Sequence, residues 1–239
     1  MEKEREEQVI SLCQKLIQQK SYSGEESGVV GVLSENMKQM GFDEVTVDKY
    51  GNIIGCIKGN RPGKKVLFDG HIDTVPVTEE AEWLYPPFAA EIHDGKIYGR
   101  GTSDMKGAVA AMTCAASNYA KDTGKDFAGE IYVAGVVHEE CFEGVAAREI
   151  SKNVRPDYVV IGEASQLNLK IGQRGRAEIV IETFGKPCHS ANPEKGINAV
   201  YKMAKVIGAI RTLVPTHHPV LGDGILELTD IKSAPYPGA

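Results

Sequence analysis

Apolar positions recur at intervals of three and four at the start of the chain: Val9, Ile10, Leu12, Cys13, Leu16 and Ile17, then Val29, Val32, Leu33, Met37 and Met40 before Gly41. This spacing predicts two amphipathic helices, the second stopped by the glycine. Residues 44–57 alternate around Tyr50-Gly51-Asn52 and predict a hairpin, and 65–70 form a short apolar run that predicts a buried strand. Helix and strand then take turns, with a small-residue helix over 108–119, a strand over 131–137, a helix over 145–150 and a strand over 158–161. Such alternation predicts an α/β fold with a mostly parallel sheet. Near Arg174 the texture changes: 177–184 alternates like an amphipathic strand, 197–213 has helical period, and 224–231 again resembles a strand. The expected organisation is therefore a first domain over 1–174 and the opening β-α-β of a smaller one over 175–239. After it the turn-rich Pro235-Tyr236-Pro237-Gly238-Ala239 adds no element. A sheet with an unpaired edge is incomplete, so the chain reads as C-terminally truncated.

Composition narrows the class. Of 239 residues, 42% are hydrophobic and 25% charged, and the net charge is −6. The apolar share can offset ordering entropy, which sets the chain apart from disordered sequences, and the acidic balance argues against nucleic acid as a partner. No apolar stretch has the length of a signal peptide core or a membrane span, so the expectation is a cytoplasmic protein with no membrane partner. Cys13, Cys56, Cys114, Cys141 and Cys188 are odd in number, scattered and never in a CxxC pair. They read as reduced thiols, not as a disulfide framework or a cysteine zinc site.

In a parallel sheet ligands gather beyond the carboxyl ends of the strands. The first apolar strand runs out into His71-Ile72-Asp73-Thr74-Val75-Pro76, where a carboxylate beside a histidine can fix its tautomer as a metal ligand. Taken alone, a satisfied structural histidine explains the pair as well. Gly99-Arg100-Gly101-Thr102-Ser103-Asp104-Met105-Lys106-Gly107 sets an acid before a helix, either as an N-cap or as a ligand. It lacks the Gly-Lys-Ser/Thr ending of a phosphate loop. A third strand ends in His138-Glu139-Glu140, adjacent acids that repel unless a cation compensates them, and a fourth ends in Gly162-Glu163. No second histidine or helical pattern makes His138 part of a zincin motif. Jointly, His71, Asp73, Asp104, Glu139, Glu140 and Glu163 all fall at the ends of one predicted sheet. One imidazole with several carboxylates suits Zn²⁺, Mn²⁺ or Co²⁺, and the spare carboxylates can bridge two ions ~3.5–4 Å apart.

These motifs, with Cys188-His189-Ser190 after them, occur in the same order in the family of acetylornithine deacetylase, succinyl-diaminopimelate desuccinylase, aminoacylase and glutamate carboxypeptidase, which the chain resembles over nearly its whole length. The resemblance implies a zinc-peptidase-like catalytic domain with a ferredoxin-like lid or dimerisation domain, here incomplete. It implies two divalent ions, zinc first, and hydrolysis of an amide bond in a small N-acyl amino acid or peptide. It makes His71 and Glu163 ligands of one ion, Asp104 the bridging carboxylate and Glu140 a ligand of the other. Asp73 becomes the partner of His71, and Glu139 the general base. His189 becomes a donor to the developing oxyanion, supplied by the other subunit of a homodimer; as a polar residue before a helix it would equally serve as a cap. The family's last ligand is a histidine far downstream, beyond this chain. His217 and His218 lie in the lid region and read as structural. Without that ligand, the alternative is an inactive metal-binding fragment or interaction scaffold. Arg174 and Arg176 could meet a substrate carboxylate or stand at a domain hinge. Residues 166–177 resemble a branch of the family linked to selenium metabolism, from which no substrate follows.

Overall fold

Leu12, Leu16 and Ile17 share one helical face and are fully buried in the computed structural model, which describes residues 2–142, 144–170 and 172–233. They belong to α1 (Glu2–Gln18), and Val29, Leu33 and Met37 give α2 (Ser27–Gln39) the same kind of buried face. Both predicted N-terminal helices are therefore present. The hairpin forms as β1 (Glu44–Val47) and β2 (Ile53–Lys58), antiparallel with Glu44 opposite Cys56. The apolar runs that follow become β3 (Arg61–His71), the hairpin β4 (Glu91–His93) and β5 (Lys96–Tyr98), α3 (Gly107–Thr123), β6 (Ala128–Val136), α4 (Val145–Val154) and β7 (Tyr158–Ile161). The β4–β5 hairpin was absent from the sequence reading, although Asp94-Gly95 between Ile92 and Ile97 is a tight-turn signal.

The main sheet has the order β1-β2-β6-β3-β7, with β3 parallel to both β6 and β7 and the β1–β2 hairpin antiparallel on β6. The mixed α/β architecture with a mainly parallel centre agrees with the alternation read from the sequence. Phe68, Gly70 and Ile72 share one face of β3, and Leu67, Asp69 and His71 the other. On the first face α3 comes so close that a Cβ on Gly70 would stand 2.6 Å from Met105 Cε and 2.8 Å from Val109 Cγ2. The absence of a side chain there lets the helix seat its apolar face. Val109, Ala110 and Cys114 of that helix join Ile53, Ile57, Val133 and Ala134 in the buried core.

The chain separates into two compact units, Met1–Leu167 and Asn168–Ala239. In the second unit α5 (Ala199–Ile210) is capped by Asn198, whose Oδ1 accepts from Tyr201 N at 3.1 Å. Residues 186 and 197 exchange both backbone hydrogen bonds at 2.9 Å, and β8 (His217–His218) pairs with β9 (Gly222–Asp223). The predicted strands at 177–184 and 224–231 do not form: both stretches are irregular and largely exposed. Alternation makes a strand only where a neighbouring strand takes up its backbone groups. Among the described residues, no helix is long and apolar enough to cross a membrane.

Candidate metal centre

Register alone carries three strand ends to one place. His71 closes β3 opposite Val136 of β6, beyond which the chain runs into His138-Glu139-Glu140. Asp69 lies opposite Ile161 of β7, so Glu163, two residues on, comes level with His71. The fourth contributor arrives from β5. Gly101, at φ +85°, turns the backbone through a conformation that disfavours side chains, and a Cβ there would sit 2.9 Å from Thr74 Cγ2. The single π-turn Thr102–Lys106 follows, and inside it Asp104 leaves helical geometry (φ −132°, ψ 92°) and the Asp104–Met105 peptide is cis. Asp104 is thus not the N-cap of α3; Lys106 holds that position. Freed from capping, the Asp104 carboxylate stands 2.9 Å from His71 Nε2, and Glu163 Oε1 stands 3.7 Å from the same nitrogen. One ligand atom from each of His71, Asp104 and Glu140 lies within 4.8 Å of the others.

Asp73 organises this group from beneath. It is fully buried and accepts from Ser23 Oγ at 2.6 Å and from the backbone N–H groups of Glu139 and Glu140, each at 3.1 Å. Its Oδ1 lies 3.5 Å from His71 Nδ1, which also donates to the Asp73 carbonyl at 3.0 Å. Burial alone would raise its pKa, but the hydrogen bonds from His71, Ser23 and the two amides outweigh that and hold it below the usual carboxylate range. One buried carboxylate thereby orients the imidazole and anchors the loop that presents Glu139 and Glu140.

The electrostatics of the cluster favour added positive charge. Burial pushes the pKa of Glu140 and of Glu163 upward, and neighbouring acids push further, against the counter-effect of His71. Burial would strip the proton from His71, yet its hydrogen bonds to Asp73 and Asp104 and the charge of Glu163 prevail and raise its pKa to about 10. Protonated in this way, the ring neutralises one of the acids around it; a divalent cation would do so for more of them. A donor set of one imidazole and three carboxylates, converging and otherwise self-repelling, fits such an ion.

Two supporting residues, Glu26 and Lys106, carried no sequence signal because their contacts span long separations. Glu26 is buried, and its Oε1 accepts from Gly24 N and His138 N, both at 3.0 Å. Lys106 is fully buried, its Nζ donating to Leu16 O at 3.0 Å and Gln19 O at 2.8 Å, and burial presses its pKa down to about 8. Asp69 was legible as an acid within an apolar strand. Its Oδ1 is buried without a hydrogen-bond partner, and burial first, then the charge of Glu163, raises its pKa to about 6. His189 belongs to the second unit, where its Nδ1 accepts from Ala191 N at 3.1 Å; since Asn198 caps α5, the capping reading of His189 does not hold.

Residues 67–223 match the sequence profile of peptidase family M20/M25/M40. The chain belongs to that family. The protein is 37% identical over 215 residues to the uncharacterized protein YgeY of Escherichia coli (strain K12), covering 88% of this chain and 53% of that one. It is 32% identical over 201 residues to succinyl-diaminopimelate desuccinylase 2 of Ruegeria sp. (strain TM1040), covering 79% and 50%. The chain thus spans about half the length of these relatives. Among solved structures, the M20 family metallo-carboxypeptidase Sso-CP2 of Sulfolobus solfataricus shares the fold with a TM-score of 0.64 at 23% identity, over 87% of this chain and 49% of that one. The di-peptidase Dug1p of Saccharomyces cerevisiae shares it with a TM-score of 0.61 at 20% identity, over 95% and 55%.

Proposed function

We propose that the protein is the metal-binding part of a hydrolase that cleaves an amide bond in a small N-acyl amino acid or peptide. The observation that carries the reading is the convergence of Asp104, Glu140 and Glu163 on the buried imidazole of His71. In this reading His71, Asp104 and Glu163 hold one divalent ion, while Asp104 and Glu140 contribute to a second, with zinc the first choice and cobalt or manganese alternatives. When bound, such ions polarise a carbonyl and lower the pKa of water. The chain's own residues do the rest. Asp73 fixes the His71 ring and the loop backbone. Glu139, presented by that loop, takes the proton of the attacking water and passes it to the departing amine, which leaves as the new carboxylate forms. Membership of the family and the match to a desuccinylase support this chemistry.

The test is Glu139→Gln in the metal-reconstituted protein, assayed on N-acyl amino acids and dipeptides. Turnover should fall by about 10²-fold or more, the scale of a lost general base, with metal content retained. Loss of metal instead would make Glu139 a ligand and overturn its assignment. His189, in the motif Cys188-His189-Ser190, is proposed to donate to the developing oxyanion from a partner copy within a homodimer. His189→Ala should then lower kcat with metal content unchanged in a protein of twice the chain mass by light scattering; an unchanged kcat removes it from the reaction. The second reading, a metal-binding scaffold without turnover, is favoured if reconstituted wild-type protein binds metal and hydrolyses none of these substrates.

A further inference from the structure

Outside the metal centre, residues from 78–85 and 98–100 line an open cleft of about 450 Å³. That volume lies within the ~300–1,000 Å³ typical of small-ligand sites. None of His71, Asp104, Glu140 and Glu163 lines it. Trp83, Tyr85 and Tyr98 form its aromatic wall, with Tyr85 and Tyr98 edge to face at 4.7 Å between centroids. Arg100 lies over the indole, its guanidinium carbon 5.0 Å from the Trp83 ring centroid, in cation–π contact.

This arginine is unusual in its partners. Its Nε is buried and has no hydrogen bond, and among the described residues its guanidinium enters no ion pair. Two acids, Glu79 and Glu82, line the same cleft yet neither pairs with it. The cleft therefore brings together a cation held against an aromatic surface and, not paired with it, two exposed carboxylates. A simple anion would be repelled by the glutamates and a simple cation by the arginine. A ligand that carries both charges and an apolar ring satisfies all three features.

We propose that this cleft binds a free, zwitterionic short peptide with an aromatic side chain: its carboxylate on the Arg100 guanidinium, its ammonium toward Glu79 and Glu82, and its ring against Trp83 and Tyr98. Arg100 can meet a carboxylate with two parallel N–H donors, which favours that group over a neutral amide. The site is independent of the hydrolytic reading, because it uses none of the metal-cluster residues.

The experiment is calorimetric titration of the full chain, stripped of metal by chelator so that the metal cluster neither turns over nor coordinates the probe. The probes are L-alanyl-L-phenylalanine, its C-terminal amide and its N-acetyl derivative. The dipeptide should bind saturably at one site per chain, and the amide about tenfold or more weaker. Arg100→Gln should bind acid and amide alike, and Trp83→Ala, which leaves the charges in place, should weaken all three probes together. If Arg100→Gln does not fold, Glu79→Gln with Glu82→Gln serves in its place and should abolish the discrimination between dipeptide and N-acetyl derivative. No saturable binding to wild type overturns the proposal, as does discrimination that persists in the variants. Binding that appears only after metal is restored also overturns it, and assigns the peptide to the metal centre.

Discussion

Asp69 shows how much one side chain can carry. It shares the His71 face of β3, and its Oδ1 is buried without a partner. Its folded pKa of about 6 lies above the usual aspartate value of 3.8. The folded state therefore keeps a proton that the unfolded chain has already lost, and stability falls as pH rises from about 4 to about 6. The full cost above that window is on the order of 2–3 kcal/mol, at 1.36 kcal/mol per unit. In chelator-treated protein, Asp69→Asn should be more stable than wild type at pH 7.5 by up to that amount and equal to it near pH 4, measured by denaturant unfolding. Parallel pH profiles for the two proteins would show that Asp69 ionises freely. Asp73 is the opposite case on the same strand exit, a buried carboxylate kept charged by its hydrogen bonds. The sequence showed His71 and Asp73 as a pair, but not that Asp73 also anchors the amides of Glu139 and Glu140, 66 and 67 residues away.

At the scale of elements, the parallel strands were legible because each is an apolar run with a polar exit. The exits of β3, β6 and β7 then had to meet once the strands were parallel. Asp104 was harder to place, since an acid before a small-residue helix is a good N-cap and only the turn at 102–106 takes it out of that role. The strands expected at 177–184 and 224–231 were misread for a physical reason: alternation records a side-chain pattern, and a ladder also needs a partner strand. Lys106 joins two elements, leading into α3 while its ammonium donates to the carbonyls of Leu16, in the last turn of α1, and of Gln19 just beyond it. Lys106→Met should destabilise the protein by about 2–4 kcal/mol, because buried carbonyls lose a charged donor. It should also weaken metal binding, by loosening the turn that holds Asp104. A change in unfolding free energy below about 0.5 kcal/mol, the range of inert surface substitutions, would show that the contact does not hold the two elements together.

For the whole molecule, the first unit is a sheet that places one imidazole and three carboxylates at a common edge, and family membership supplies a reason for that placement. The second unit carries His189 on a loop before α5, and its contribution is open to the kinetic test given above. Metal content decides whether the His71 cluster is a divalent metal centre. Purified protein reconstituted with zinc, dialysed and analysed for elements should retain at least one ion per chain, and Asp104→Ala, folded by circular dichroism, should retain none. Folded wild-type protein without metal, or an Asp104→Ala protein with as much zinc as wild type, would show that these residues do not hold an ion.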